Sequence, residues 1–410
     1  MTESSGSAAG EFRAHWRALL GCTIAASIGT IGLQAYTSGA FVPALGRDVG
    51  YSKEQLSLAT LLLSATVAIC APFAGTLMDR YGAVRVIAFA IVGEAVAFAL
   101  LAIAPAGFPL YAALIVLLAV LGVGTTPPGF ARIITARFDA GRGLALGCMI
   151  SGLGLMAISG PIWATWVIQH GGWRSGYGVI AGLVLLLGGG GLLLVHRDRV
   201  AHPATPVRAG LDAASGPSAL RRPLFWVMLA GFVAPALFGG GYLLHLISLL
   251  TERGIAPATA ARVQSLIGVA VLGGRLGSGW ALDRFPAPRV AAAAFTVSAL
   301  GCALLLQSNL ALMSVAALAI GLTIGAELDI LAYFVSRYFG LASFGRLYGL
   351  AYGCMIVAGG ASPLLIARLS QSGGYPLALI VSTIGTIAGA LILLMLPDPR
   401  AVAAREPAIA

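Results

Sequence analysis

Charge is what this chain has least of. Only 10% of its 410 residues are Asp, Glu, Lys or Arg and 59% are hydrophobic, against a charged share of about a quarter in soluble domains, which excludes a water-soluble enzyme. Lysine is almost missing: of 25 basic residues, Lys53 alone is not an arginine. The five cysteines (Cys22, Cys70, Cys148, Cys302 and Cys354) lie in or at the edges of apolar stretches without metal-ligand spacing, so they read as small core residues. No P-loop, no HExxH and no polar stretch long enough for a nucleotide-binding region occurs, which excludes ATP-driven work by this chain alone. The net charge of +10 is not interleaved with aromatics, so nucleic acid is not an expected partner. The glycine-rich run 182–195 follows no strand and reads as a packing helix rather than a dinucleotide loop. No removable signal peptide is expected, because the first apolar stretch is long enough to span. No metal and no cofactor are expected.

What is present is hydrocarbon. A mean hydropathy of +0.93 is more than one span of about 20 residues could produce, and the length leaves room for about twelve crossings of a ~30 Å core. Apolar runs fall near 18–45, 53–78, 84–104, 109–135, 143–168, 175–195, 223–250, 257–282, 289–307, 310–336, 344–369 and 375–396. The expected organisation is an all-α membrane protein. A cytoplasmic tail (1–17) leads into a six-helix bundle (18–195), a basic, proline-bearing central loop (196–222), a second six-helix bundle (223–396) and a cytoplasmic tail (397–410). Eighteen arginines, among them Arg199, Arg208, Arg400 and Arg405, fall on the side of the tails and central loop. Six basic residues fall on the other side, and Arg275 is left inside the bilayer. That asymmetry puts both termini in the cytoplasm, with the plasma (bacterial inner) membrane as the expected location. The halves also repeat. GCMISG (147–152) matches GCMIVA (353–358), Tyr36 and Arg47 match Tyr242 and Arg253, and LMDRYG (77–82) matches ALDRFP (281–286), at offsets of 206, 206 and 204. Six-helix halves repeated in parallel are an architecture for alternating access, with the substrate site near mid-membrane.

AGTLMDRYGAVRV (74–86) and GSGWALDRFPAPRV (277–290) resemble the two copies of the signature loop of the major facilitator superfamily. ARFDAGRGLALGCMISGLGLMAISGPI (136–162), GGWRSGYG (171–178), GGRLGSGWALDRF (273–285) and GAELDILAYFVSRYFG (325–340) look like its monocarboxylate porter branch, which includes the oxalate:formate exchangers. The resemblance implies a secondary carrier for small organic anions, with the substrate-carboxylate arginine falling on Arg275. The chain departs from that pattern in having no lysine on span one or eleven and Val271 where animal members have aspartate.

The residues themselves support an anion site. Arg275 lies nine residues before Arg284, about 13 Å inside the helix end. An arginine at a helix centre costs about 2.5–3.5 kcal/mol on insertion scales, so it calls for a wet cavity or a carboxylate, and its planar fork suits a carboxylate ligand. Glu327 and Asp329 lie at a matching depth on span ten, two positions and so about 200° apart. Asp329 and Tyr333, at i+4, are expected inward, with Glu327 on the opposite face. Either acid is a candidate proton-coupling group, and either could pair with Arg275. Gln34 and Tyr36 on span one and Tyr242 and His245 on span seven are further candidate substrate contacts. A lone histidine on an apolar helix is more often a hydrogen-bonded structural residue. Glu94, deep on span three, should have a partner, and TTPPG (125–129) should interrupt span four. Arg132 is shallow enough to snorkel.

Asp79, Arg80, Arg85, Asp283, Arg284 and Arg289 read as gate residues, since positive-inside charge alone does not explain the recurring aspartate-arginine pair. The expected function is transport of a small mono- or dicarboxylate, coupled to protons or to anion exchange, by a chain that works as a monomer among membrane lipids. The alternatives are an exporter of amphipathic or drug-like compounds, a membrane sensor or a membrane-embedded enzyme. A sensor would need a signalling domain and an enzyme a cluster of nucleophile, base or metal ligands, and the sequence has neither.

Overall fold

The computed structural model describes residues 8–198, 220–340 and 343–398. Arg199, Arg208, Arg400, Arg405 and most of the central loop lie outside the described residues. Among the described residues there is no strand, and ten continuous helices are long and apolar enough to cross a membrane. Two of them, Arg142–Arg197 with 56 residues and Phe344–Leu394 with 51, are about two to three times longer than a ~30 Å core requires. Each is broken by glycine in the left-handed region, at Gly172 (φ 76, ψ 172) and Gly374 (φ 69, ψ 179), where a side chain would be strained. Each therefore holds two crossings, and the expected twelve stand.

The chain divides into two compact units, Met1–Val207 and Arg208–Ala410. The first contains α1 (Ala8–Asp48), α2 (Lys53–Tyr81), α3 (Ala83–Ile103), α4 (Phe108–Thr135), α5 (142–171) and α6 (173–197). The second contains α7 (Pro223–Glu252), α8 (Pro257–Arg284), α9 (Ala287–Leu304), α10 (Leu310–Phe339), α11 (344–372) and α12 (375–394).

In the first unit, α1 starts at Ala8, well ahead of the apolar run at 18. Polar anchoring accounts for the extra turns. The Glu11 carboxylate accepts backbone N–H bonds from Asp139, Ala140 and Gly141 at 2.9–3.2 Å, satisfying the amides of the turn that leads into α5. His15 Nδ1 lies 3.1 Å from Asp198 Oδ2, and Arg137 Nε 3.3 Å from the same oxygen, so the end of α6 is tied to α1 and to the segment between α4 and α5. The start of α2 carries a capping box between Ser52 and Gln55.

The expected interruption of α4 is a 3-10 turn at Val123–Thr125, after which Pro127 restarts the helix. It packs on a second break, in α1 between Ser27 and Thr30. Glu94, fully buried on α3, accepts a hydrogen bond from Thr125 Oγ1 at 2.8 Å. Thr125 in turn accepts from the Thr30 backbone N–H at 3.0 Å, and Thr30 Oγ1 donates to the Gly122 carbonyl at 3.1 Å. Glu94 thus has the partner that its depth required.

The second unit has an aromatic core in which Phe232 meets Phe295 and Phe334 edge-on at 5.6 Å each. α8 and α10 approach backbone to backbone. A Cβ on Gly274 would sit 2.0 Å from the Leu322 carbonyl oxygen, and one on Gly325 would sit 2.1 Å from that of Val271.

Candidate functional site

The close approach of α8 to α10 brings the charged residues of the second unit together. Arg275 follows Gly274 on α8, and its Nη1 lies 3.7 Å from Asp329 Oδ1 on α10. The side chains are 21% and 38% exposed, so the pair is part-solvated, and at 3.7 Å it is an ion pair without a tight fork-to-fork geometry. The guanidinium keeps donors for a second anion. Arg275 also stands near enough to Glu327 for its charge to act on that carboxylate. Glu327 is half-buried and makes no ion pair among the described residues.

Below the pair lies a cavity of about 480 Å³, lined by Gly279 and Asp283 of α8, Asp329, Tyr333 and Ser336 of α10, and Phe344 at the start of α11. Positions 275, 279 and 282 share one face of α8, and 329, 333 and 336 one face of α10, so the expected grouping of Asp329 with Tyr333 is present. The Arg337 guanidinium lies 5.3 Å from the centre of the Tyr333 ring. An unanticipated aromatic row on α11 starts at the cavity with Phe344. Phe344, Tyr348 and Tyr352 stack in a row, with ring centres 5.1 and 5.9 Å apart and near-parallel planes. Tyr348 lies within electrostatic reach of Arg275, Glu327 and Asp329, and Tyr352 within reach of Arg275 and Glu327. The i, i+4, i+8 aromatic spacing was the available signal in the sequence.

Tyr242 and His245 of α7 are fully buried. The Tyr242 hydroxyl donates to Ser382 Oγ at 3.1 Å, and His245 Nε2 donates to the Pro363 carbonyl at 2.9 Å. That carbonyl can only accept, so Nε2 carries hydrogen. Both side chains fasten α7 to α11 and α12. In the first unit, Gln34 and Tyr36 are buried on α1, beside Thr37, whose hydroxyl bonds back to the Leu33 carbonyl at 2.8 Å.

Of the gate candidates, Asp79 pairs with Arg132 Nη1, which also donates to the Gly75 carbonyl at 3.0 Å. Arg132 is thus engaged across the α2–α4 contact. Arg80 lies over Tyr81 and Arg284 over Trp280, at 5.3 and 4.6 Å. Asp283 faces the 480 Å³ cavity. Arg85 and Arg289 make no ion pair among the described residues. The repeated loops turn differently: Gly82 uses φ 88, while its counterpart Pro286 uses φ −56.

Gly274→Val is expected to lower stability by about 2–3 kcal/mol through overpacking and to separate Arg275 from Asp329. A melting curve in detergent checks it; an unchanged midpoint would mean that the helices do not need this approach.

The sequence pattern of the Major Facilitator Superfamily matches residues 24–287 and 241–410. Among curated relatives, monocarboxylate transporter 13 of Bos taurus is 31% identical over 154 residues, 37% of this chain and 34% of that protein. Monocarboxylate transporter 13 of Rattus norvegicus is 28% identical over 274 residues, 63% of this chain and 61% of that protein. The chain therefore spans between about a third and three-fifths of the length of these relatives. The crystal structure of a D-xylose-proton symporter superposes with a TM-score of 0.74 at 15% identity, over 94% of this chain and 99% of that one. A bacterial homologue of the human lysosomal transporter Spinster, inward-facing and unoccupied, gives 0.66 at 17% identity, over 95% and 96%. At these identities the likeness is one of fold.

Proposed function

The chain belongs to the major facilitator superfamily, a multi-pass membrane transporter and not an enzyme, and from that premise we propose that it moves a small mono- or dicarboxylate by alternating access. The observation that carries this reading is the part-solvated Arg275–Asp329 pair at 3.7 Å, at the edge of a cavity. A carboxylate entering from that cavity competes with Asp329 for the guanidinium, whose planar fork matches it better than the single long contact that Asp329 makes. Protonation of Asp329 frees Arg275 for the anion, and loss of that proton returns the pair, so the same two groups couple proton and anion movement. Glu327, within reach of the same charge, is the second candidate for the proton. Tyr333 supplies a hydroxyl on the cavity face. The resemblance to monocarboxylate transporters supports the substrate class, and the arginine asymmetry supports cytoplasmic termini.

The test is thermal stabilisation of the purified protein by lactate, pyruvate, oxalate, formate, acetate and larger aromatic acids, since a ligand of the folded state raises the melting point. A shift with one acid that vanishes in Arg275→Gln is expected. No shift with any acid, or a shift indifferent to Arg275, moves the reading to export of amphipathic compounds.

Asp79, held by Arg132, is proposed to act in gating rather than in binding. Asp79→Asn is accordingly expected to lower the maximal transport rate severalfold with little change in KM, and a change in KM alone would remove Asp79 from the gate.

A further inference from the structure

The second unit has another recess, unrelated to the Arg275 pair. α8 and α9 both lie along α10 but scarcely touch each other. Between them is a cavity of about 440 Å³, floored by Leu322, Ala326 and Ile330 of α10. Its walls are apolar and small, with Gly273 and Gly277 on α8 and Ala293 on α9. Gly273 and Gly277 stand two positions either side of Arg275, so the recess opens on the opposite face of α8 from the ion pair. Beside the recess α8 carries exposed Val269, Leu276 and Trp280, with Leu276 at 80%. In a membrane protein such a face meets hydrocarbon.

Polarity enters at one end. Arg289 lines the mouth, where Phe285 and Pro286 turn the chain from α8 into α9; it is exposed, and its guanidinium makes no hydrogen bond or ion pair among the described residues, the backbone N–H alone bonding to the Pro286 carbonyl. Trp280 and Arg284, stacked at 4.6 Å, flank the same end, an amphipathic pairing typical of the headgroup level. The nearby acid, Asp283, faces the other cavity. An occupant must therefore bring hydrocarbon for the walls and an anionic group for the mouth.

The internal repeat shows that the space is not a by-product of the fold. At the offset of 204 that relates the two signature loops, the counterparts of Gly273, Gly277 and Ala293 are Ile69, Phe73 and Phe89, while Arg289 corresponds to Arg85. The first half keeps the arginine and has bulky side chains where the second half has glycine and alanine. Positive-inside charge accounts for an arginine in both halves, but not for a recess in one.

We propose that the α8–α9 recess binds an anionic phospholipid, its acyl chain against Gly273, Gly277 and Ala326 and its phosphate on Arg289. A zwitterionic lipid fits less well, because its ammonium group would be brought up to Arg284 and Arg289.

The experiment is native mass spectrometry of the full chain in detergent, titrated separately with dioleoyl phosphatidylglycerol and dioleoyl phosphatidylcholine. Retention of one phosphatidylglycerol at a concentration at least tenfold below that needed for phosphatidylcholine is expected. Arg289→Gln should remove that preference, and Gly277→Phe combined with Ala293→Phe, side chains the first half already carries, should abolish tight retention of either lipid. Should the double variant misfold, Arg289→Gln, at an exposed position, decides alone. Equal retention of the two lipids, or a preference that survives Arg289→Gln, overturns the proposal. Arg275→Gln should leave lipid retention unchanged, so the outcome is independent of the carboxylate reading.

Discussion

Replacing Arg275 with glutamine should reduce carboxylate uptake by about 30- to 1000-fold, the equivalent of about 2–4 kcal/mol lost when one partner of a part-desolvated charge pair is truncated. Two losses combine in that number. The substrate loses its charge-assisted hydrogen bonds, and Asp329 and Glu327 lose the positive charge beside them. The double variant Arg275→Gln/Asp329→Asn separates these losses. It should regain the thermal stability that Arg275→Gln sacrifices but none of the uptake. Uptake restored in the double variant would show that Arg275 serves the pair alone. Arg275→Lys should recover only part of the activity, since a point charge lacks the planar fork. Asp329→Asn should retain anion binding, because Arg275 remains, while uptake loses its dependence on a proton gradient. Initial rates in reconstituted vesicles read all of these.

The second large effect concerns the first unit. Glu94→Ala should destabilise the protein by about 2–4 kcal/mol, combining a buried void with the loss of the hydrogen bond that ties α3 to the break in α4. Thr125 and Thr30, the residues at the breaks in α4 and α1, are coupled directly to each other, and Glu94 is the third member, from α3. Glu94→Gln preserves shape and an acceptor for Thr125, and should stay within about 1 kcal/mol of the parent. The readout is the melting midpoint in detergent. A glutamine variant as damaged as the alanine variant would assign the acid itself, and not its hydrogen bond, the structural role.

The parts of the site visible in the sequence were those fixed by helix arithmetic. Counting from Arg284 and Arg337 placed Arg275 and Asp329 at one depth, and the i+4 rule put Tyr333 on the Asp329 face. Depth does not reveal which way a side chain turns about its helix, and so Tyr242 and His245 could be set at cavity level while their bonds to Ser382 and Pro363 could not be foreseen. The same limit applies to long-range partners. Arg132 could be read as shallow, but its engagement of Asp79 depends on how α2 meets α4. The His15–Asp198 contact joins residues 183 positions apart, and nothing in either local sequence announces it. Removing Asp198 would leave the nearly buried Arg137 without that counter-charge. Tyr348 and Tyr352 were legible as an aromatic row and gained meaning only when α11 was placed beside Arg275.

The two glycine hairpins limit how each bundle can move. α5 and α6 are joined at Gly172, and α11 and α12 at Gly373 and Gly374, with no intervening loop. A linkage that short has no slack, so a piston-like displacement of one helix along its axis must drag the other with it. Sliding of individual helices is therefore closed to these pairs. What the linkage leaves free is pivoting about the glycine, a hinge with a fixed position and almost no travel.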